Sequence, residues 1–308
     1  KCIFHSKNIK WKRENNFFEL LFVLIKFLEE KEKNNGLTGV HFISAIENTS
    51  INYLEKLFPY NLHGAVFWDD INMSNQIINS GVNLEYCNFR SDILFEKCTF
   101  NSGVVLSSMD FYCETTGTFE LKECVFEGSV DFCNTKVKGS FAIQSCKFLN
   151  PFIFIDNKFS RDGLFEVTST FEEFTLFGNL EINSTLVNFS DTYFKGETVF
   201  SNNIIQPEQQ IIFSGISVEQ SLLFSGEGNN RIFHGYTEFY IDIERIDGKI
   251  TFQNVNLSSI REEDRQSLMQ LQSTGKVIIE RGCIKYRLQT EEITIPVSKN
   301  SQLLIDEI

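Results

Sequence analysis

Between residues 82 and 159 the chain repeats itself every eleven residues, and no other feature restricts its fold as strongly. If n is the first apolar residue of a unit, n and n+2 are apolar, n+5 is small or sulfur-bearing, and n+7 is usually Phe. The units read Val82, Leu84, Cys87, Phe89; Ile93, Phe95, Cys98, Phe100; and Val104, Leu106, Met109, Phe111. After a four-residue insertion around Tyr112 to Gly117 they resume as Phe119, Leu121, Cys124, Phe126 and Val130, Phe132, Thr135, Val137. Phe141, Ile143, Cys146, Phe148 and Phe152, Phe154, Asn157, Phe159 complete the run. Beyond residue 160 the register blurs near Leu164 and Phe171. It is taken up again at Leu180, Ile182, Thr185, Val187, then at Ile211, Phe213, Ile216, Val218 and at Ile250, Phe252, Val255, Leu257.

Apolar residues at n and n+2 share a side only in extended chain, where side chains alternate. Each unit therefore holds two short inward-facing segments with a polar corner after each. One unit encloses no core. Two close a coil of about 22 residues, and coils stack at the spacing of paired strands, about 4.8 Å. This predicts an all-β solenoid, a parallel β-helix of about eight coils and on the order of 40 Å long, over residues 81–258. The Phe content, 32 of 308 against 4 Pro, fits one flat ring reused at equivalent sites. A core ladder is expected from Phe89, Phe95, Phe100, Phe111, Phe126, Phe148 and Phe159. Cys98, Cys124 and Cys146 should form one vertical column of structural thiols beside it, and Cys87, Met109, Thr135 and Asn157 the opposite column.

The steps CNF, CTF, CVF, CKF and NKF between residues 87 and 159 resemble the pentapeptide-repeat family. That family puts a small residue two before a central Leu or Phe. The resemblance implies a right-handed, four-sided β-helix, here with half coils of eleven residues rather than ten. The opening CIFH, Cys2 to His5, with Trp11 and an aromatic helix after it, is similar to the start of some members from AT-rich bacterial genomes. Some members protect type II topoisomerases by imitating duplex DNA and dimerise end to end.

A solenoid needs cover at both ends. Residues 1–80 are expected to form the N-terminal cap, with a buried helix over 14–35 ended by Gly36 and Gly39. Residues 259–308 should hold a helix, opened by a capping box of Ser259 and Glu262, whose Ile260, Leu268, Met269 and Leu271 cover the last coil. After Gly275, the stretches KVIIE, CIKYRLQ and EITIPV alternate like a small antiparallel sheet. The apolar end LLIDEI fits a strand paired with a neighbour or a passage into a further domain.

The net charge of −13 disfavours nucleic-acid phosphates and anionic membranes as binding partners. Residues 80–200 carry 17 Asp or Glu against 9 Lys or Arg, a modest excess for a polyanion mimic. The apolar stretch Phe17 to Leu28 is too short, and with Glu19 and Lys26 too charged, to span a bilayer. No cleavage site follows it, so a cytoplasmic protein with reduced thiols is expected. Cys2 and His5 have zinc-like spacing but no matching second pair, and Cys113 or His41 could join them only by an accident of folding. His63 and His234 stand apart, and no metal or cofactor is expected. Asp242, Glu244 and Asp247 are the one acidic cluster that could imitate a polysaccharide-cleaving β-helix, although Arg245 and Lys249 are its main basic company. A solvated face opposite Phe239, Ile241 and Ile243 accounts for them. The expectation is a non-enzymatic scaffold that binds a protein partner, the sensor or adaptor part of a larger bacterial assembly, with pairing of copies through an end module. Its alternatives are a DNA mimic acting on a type II topoisomerase and, more distantly, a carbohydrate-active enzyme.

Overall fold

The computed structural model describes residues 2–31, 36–44, 49–51, 53–111, 117–160, 163–205, 210–226, 238–255, 257, 260–280, 286–287 and 292–293. They form a parallel β-solenoid with short helices at both termini. Each coil has four sides. The first carries the two-residue strand Val82–Asn83 and then four- or five-residue strands, pairing in the series Val82, Val104, Val130, Phe152, Thr175, Thr198, Leu222, Ile250 and Val277, a nine-stranded sheet. The second is a column of dipeptides from His41–Phe42 to Ile204–Ile205. The third runs from Ile71–Ser74 to the strand Glu238–Ile246, and the fourth from Ile77–Ile78 to the second half of that same strand. Every pairing within the coils is parallel.

Alternation explains the strands directly. In Phe152–Ile155, Phe152 and Phe154 are buried while Ile153 and Ile155 face outward. The inward rings then stack coil upon coil. Phe100, Phe126, Phe148 and Phe171 succeed one another at centroid distances of 4.8, 4.8 and 4.9 Å, with planes within 6° of parallel. The spacing is that of the strands themselves, so a single rotamer fits every rung.

What turns each corner was not read from the pattern. Tyr86, Lys97, Ser108, Glu123, Asn134, Ser145 and Asp156, the residue at n+4 of each unit, all adopt left-handed backbone with φ between 51 and 58°. That conformation aims the n+5 side chain back into the core and costs a non-glycine residue about 1 kcal/mol. The n+5 residue then repairs the backbone. Asn157 Nδ2 donates to Phe132 O at 2.8 Å and its Oδ1 accepts from Thr135 N at 2.8 Å. Cys98 Sγ donates to Met73 O, and Cys124 Sγ to Phe95 O at 3.3 Å. Cys98, Cys124, Asn157, Ser169, Thr192 and Asn203 thus donate to the n+2 carbonyl of the preceding coil, which suits Cys, Thr, Asn and Ser to the column. Thr135 and Cys146 donate to a carbonyl of their own unit, and Met109 and Leu180 only fill the space. All ten residues of the expected ladder are buried, Phe111 most loosely at 8% exposure.

Several boundaries differ from the sequence reading. Strand pairing begins ahead of residue 81, since His41–Phe42 pairs with Val66–Phe67 and Ile71–Ser74 with Ile93–Glu96. Insertions between these early strands hide the period. The register after residue 160 is also shifted: Leu180 and Ile182 hold n+5 and n+7 positions, and the units start at Thr175 and Thr198. A buried hydroxyl at n, which for Thr175 donates to Glu173 O, disguised both starts. Coils lengthen toward the C-terminus, from 22 residues between Val130 and Phe152 to 28 between Leu222 and Ile250. The insertion before residue 117 falls mostly outside the described residues.

The N-terminal cap is two helices rather than one over 14–35: α1 (Ile9–Glu14) and α2 (Phe17–Glu30). Asn16 between them is left-handed at φ 56°, which a continuous helix forbids. Phe17, Leu21, Ile25 and Leu28 of α2 join the core. At the other end α3 (Glu262–Ser273) has Arg261 as its N-cap, without the capping box expected from Ser259, which lies outside the described residues. Asp264 instead takes the first turn, accepting from Arg261 and from Ile241 N. Ile260 and Leu268 are buried and Leu271 packs on the core, but Met269 is exposed. Val277–Glu280 is a parallel rung of the first side, not part of a separate antiparallel unit. Antiparallel pairing among the described residues is confined to Tyr286–Arg287 and Glu292–Ile293, and the rest of 281–308 is outside them. Among the described residues no helix is long and apolar enough to cross a membrane.

Candidate functional site

The first side of the solenoid has an unusual exterior. Outward positions of a solvated strand are ordinarily polar. Here the n+1 column reads Ile153, Leu176, Val199, Leu223 and Thr251 over five consecutive rungs, and the n+3 column Ile155, Gly178, Ser201, Ser225 and Gln253. Within these five rungs neither column bears a charge, although the chain carries −13; Asp131 at n+1 on the rung before and Glu280 at n+3 on the rung after bound the stretch. Phe174, 37% exposed, continues the apolar surface at the strand edge. On the bordering corner, Asn179 Nδ2 donates to Asp156 Oδ1 and Asn134 Nδ2 to Ser108 Oγ. The result is a flat, apolar strip about 20 Å long along the solenoid axis, five rungs at the strand spacing.

The other sides differ. Outward columns of the third and fourth carry ion pairs that alternate in sign up the solenoid. Glu96 lies between Lys97 and Lys122, and Glu172 between Lys147 and Lys195 at 3.2 and 2.8 Å. On the second, Lys158 pairs with Glu181 at 2.6 Å. A shallow groove of about 510 Å³ opens where the strand Leu164–Phe171 runs straight past a corner, between the left-handed turns at Ser145 and Asp191. Its carboxylate Glu166 is already held by Gln144 Nε2 at 2.8 Å and Asn188 Nδ2 at 3.2 Å.

Titratable groups gather in the N-terminal cap. Lys12 is fully buried, its Nζ donating to Phe4 O at 2.9 Å and to His41 O, with the Phe17 ring 4.4 Å away. Burial pulls its pKa down to about 7. With two carbonyls and the Phe17 ring around its ammonium and no access to solvent, Lys12 ties the leading segment to the first strand rather than offering an amine for chemistry. His41 Nδ1 accepts from Trp68 Nε1 at 2.9 Å. An indole N–H can only donate, so His41 is neutral with Nδ1 bare. Burial, and then the charge of Lys12, lower its pKa to about 4. Arg13, Ser44 and Asp69 close the same region, Arg13 Nη2 reaching Asp69 Oδ2 at 3.0 Å.

Of the residues singled out from sequence, Cys2 and His5 do meet, Sγ to Nδ1 at 3.4 Å, and that contact lowers the Cys2 pKa. His41 is spoken for by Trp68, His63 lies tilted against the Tyr86 ring with centroids 4.6 Å apart, and Cys113 and His234 are outside the described residues. Among the described residues no three His, Cys, Asp or Glu side chains are placed to hold a metal. The Cys98, Cys124 and Cys146 thiols are unpaired and buried; contact with Cys146 pushes Cys124 up to about 12, and contact with Cys124 raises Cys98 further. Asp242 and Glu244 are exposed on one strand beside Ile241, with Arg245 paired to Asp247. The apolar strip on the first side was missed, although its signal was present: n+1 is Ile153, Leu176, Val199 and Leu223 on one side but Glu120 and Glu166 on the third.

No protein-family model matches the chain, and no curated protein and no solved structure matches it significantly.

Proposed function

We propose that this protein is a non-enzymatic scaffold of the pentapeptide-repeat type, whose first side receives the apolar face of an amphipathic helix from a partner protein. The observation that carries the reading is the uncharged column Ile153, Leu176, Val199 and Leu223. Parallel sheets that are apolar on both surfaces are ordinarily covered by helices. Here the inner surface faces the Phe core and the described residues leave the outer strip half-exposed. A strip about 20 Å long accommodates roughly four turns of helix. The alternating ion pairs on the other sides suit a solvated rod better than the acidic stripes a DNA mimic requires. Asp242 and Glu244 are exposed side chains on one strand, as on a solvated outer face, which suits the scaffold better than a carbohydrate-active enzyme.

A photo-reactive amino acid at Val199, compared with one at Glu120 on the third side, tests this in native cells. The expected result is a single defined crosslinked protein from Val199 and none from Glu120. With that protein purified, Leu176→Asp should weaken binding at least about tenfold, because it buries a charge against an apolar helix. Equal crosslinking from both sites, or affinity unchanged by Leu176→Asp, would sink the proposal. Gyrase supercoiling altered by the protein would favour mimicry instead.

A further inference from the structure

Helix α2 has a second apolar stripe that the solenoid does not use. Its core face is Phe17, Leu21, Ile25 and Leu28, yet Leu20 is 44% exposed, Val23 66% and Phe27 49%. These three are spaced three and four residues apart, which places them along one line of the helix. Phe22 and Ile77, 40% and 69% exposed, extend the apolar surface at the same end, Lys56 lying over the Phe22 ring and lining the recess beside Ile77. Most of the large exposed apolar side chains among the described residues thus collect at the N-terminal cap.

The charges beside the stripe say what fits it. Setting Leu20 and Phe27 at the a positions of a heptad and Val23 at d makes Glu19 and Lys26 the g residues, with Leu24 and Lys31 at e. When two such helices run antiparallel, g faces g: Glu19 of each copy meets Lys26 of the other, twice by symmetry. When they run parallel, g faces the e position of the next turn, setting Lys26 against Lys31 and Glu19 against apolar Leu24. Among the described residues neither Glu19 nor Lys26 makes an ion pair within its own chain, so both are free for a partner.

We infer that α2 is a self-association site, joining two copies of this chain cap to cap through antiparallel helices centred near Val23. This rests on the outer face of α2 alone and is independent of the partner assigned to the first side. The pairing is isologous and therefore closes at two copies. A helix pair of this length buries less than a standard interface, so the dimer should dissociate in the micromolar range.

Sedimentation velocity on the full chain at concentrations up to roughly 100 μM tests it. The expected result is a monomer–dimer equilibrium that Val23→Glu abolishes, with the circular dichroism spectrum unchanged because Val23 is exposed. Glu19→Lys should weaken the dimer about tenfold by setting Lys against Lys26, and Glu19→Lys combined with Lys26→Glu should restore it. Restoration reports pairing geometry, which simple loss of an apolar contact would not. A wild-type protein that stays monomeric throughout overturns the inference. So does a dimer that survives Val23→Glu, and one lost only on Leu176→Asp places the contact on the first side instead.

Discussion

At the scale of single residues, the fold turns on groups that keep the backbone satisfied where the strands end. Lys12 does this in the cap by donating to Phe4 O and His41 O, and the neighbouring His41 ring accepts from Trp68; burial favours the neutral form of both. For His41 the consequence for stability is directional. Its folded pKa of about 4 lies below the unfolded value near 6.5, so the unfolded state binds the extra proton. The contribution is whole above about pH 6.5 and is lost as pH falls toward 4, up to about 3 kcal/mol. Lys12, Lys7, His5 and Arg90 face the same imidazole and act in the same direction. Urea midpoints followed by tryptophan fluorescence should therefore fall between pH 7 and 4 more steeply in the wild type than in His41→Gln. Parallel pH profiles would remove His41 from this role. From sequence His41 was one of four scattered histidines; only folding brought Trp68 to it across 27 positions.

Among the elements, the half coil is the repeating unit, and its n+5 residue couples one coil to the next. Asn157 serves two backbone groups, accepting from Thr135 N and donating to Phe132 O, and is fully buried. Asn157→Val removes both bonds and leaves Thr135 N without its partner in the core, so a loss of about 1–3 kcal/mol is expected in equilibrium unfolding. Asn157→Thr, which can still donate, should lose markedly less. Equal losses from the two variants would mean that volume alone governs the site. Here the sequence was legible in part. The recurrence of Cys, Thr and Asn at n+5 was plain, but their shared task depends on the left-handed n+4 residue, and Tyr86, Lys97 and Glu123 carry no sequence mark of that conformation. The α1–α2 break at Asn16 was hidden for the same reason.

For the whole molecule, stability is a sum over neighbouring coils. Regular coils between residues 119 and 200 have a stacked coil on both sides and nearly continuous Phe columns, as in Phe177–Phe200 at 4.6 Å. Coils at the C-terminal end are longer and more interrupted. Native-state hydrogen exchange should accordingly be slowest for amides within 119–200 and faster toward both ends. Uniform protection from cap to cap would point to a single all-or-none unfolding unit. The two proposed contacts belong to this scale as well: one on the side of the rod, one at its N-terminal end, each an uncharged or self-complementary opening in an otherwise acidic surface.

The sequence by itself determined the solenoid, because a period of eleven with apolar pairs two apart has no other compact solution: extended segments must alternate, and half coils must stack to bury Phe. It also marked residues that face the core, since Phe89, Phe126 and Phe148 recur at one register position and are buried; that Phe89 stacks in one column and Phe126 and Phe148 in another came from the coils. Only the tertiary structure decided where the solenoid begins, that Val277–Glu280 belongs to it, and which outward residues share a surface. Ile153, Leu176, Val199 and Leu223 lie 23 or 24 positions apart along the chain. Coil length sets which of them become neighbours, and the coils vary with each insertion. An eleven-residue period predicts the inside of such a molecule because every unit must meet the same core; the outside obeys no such constraint, and its pattern exists only once the coils are stacked.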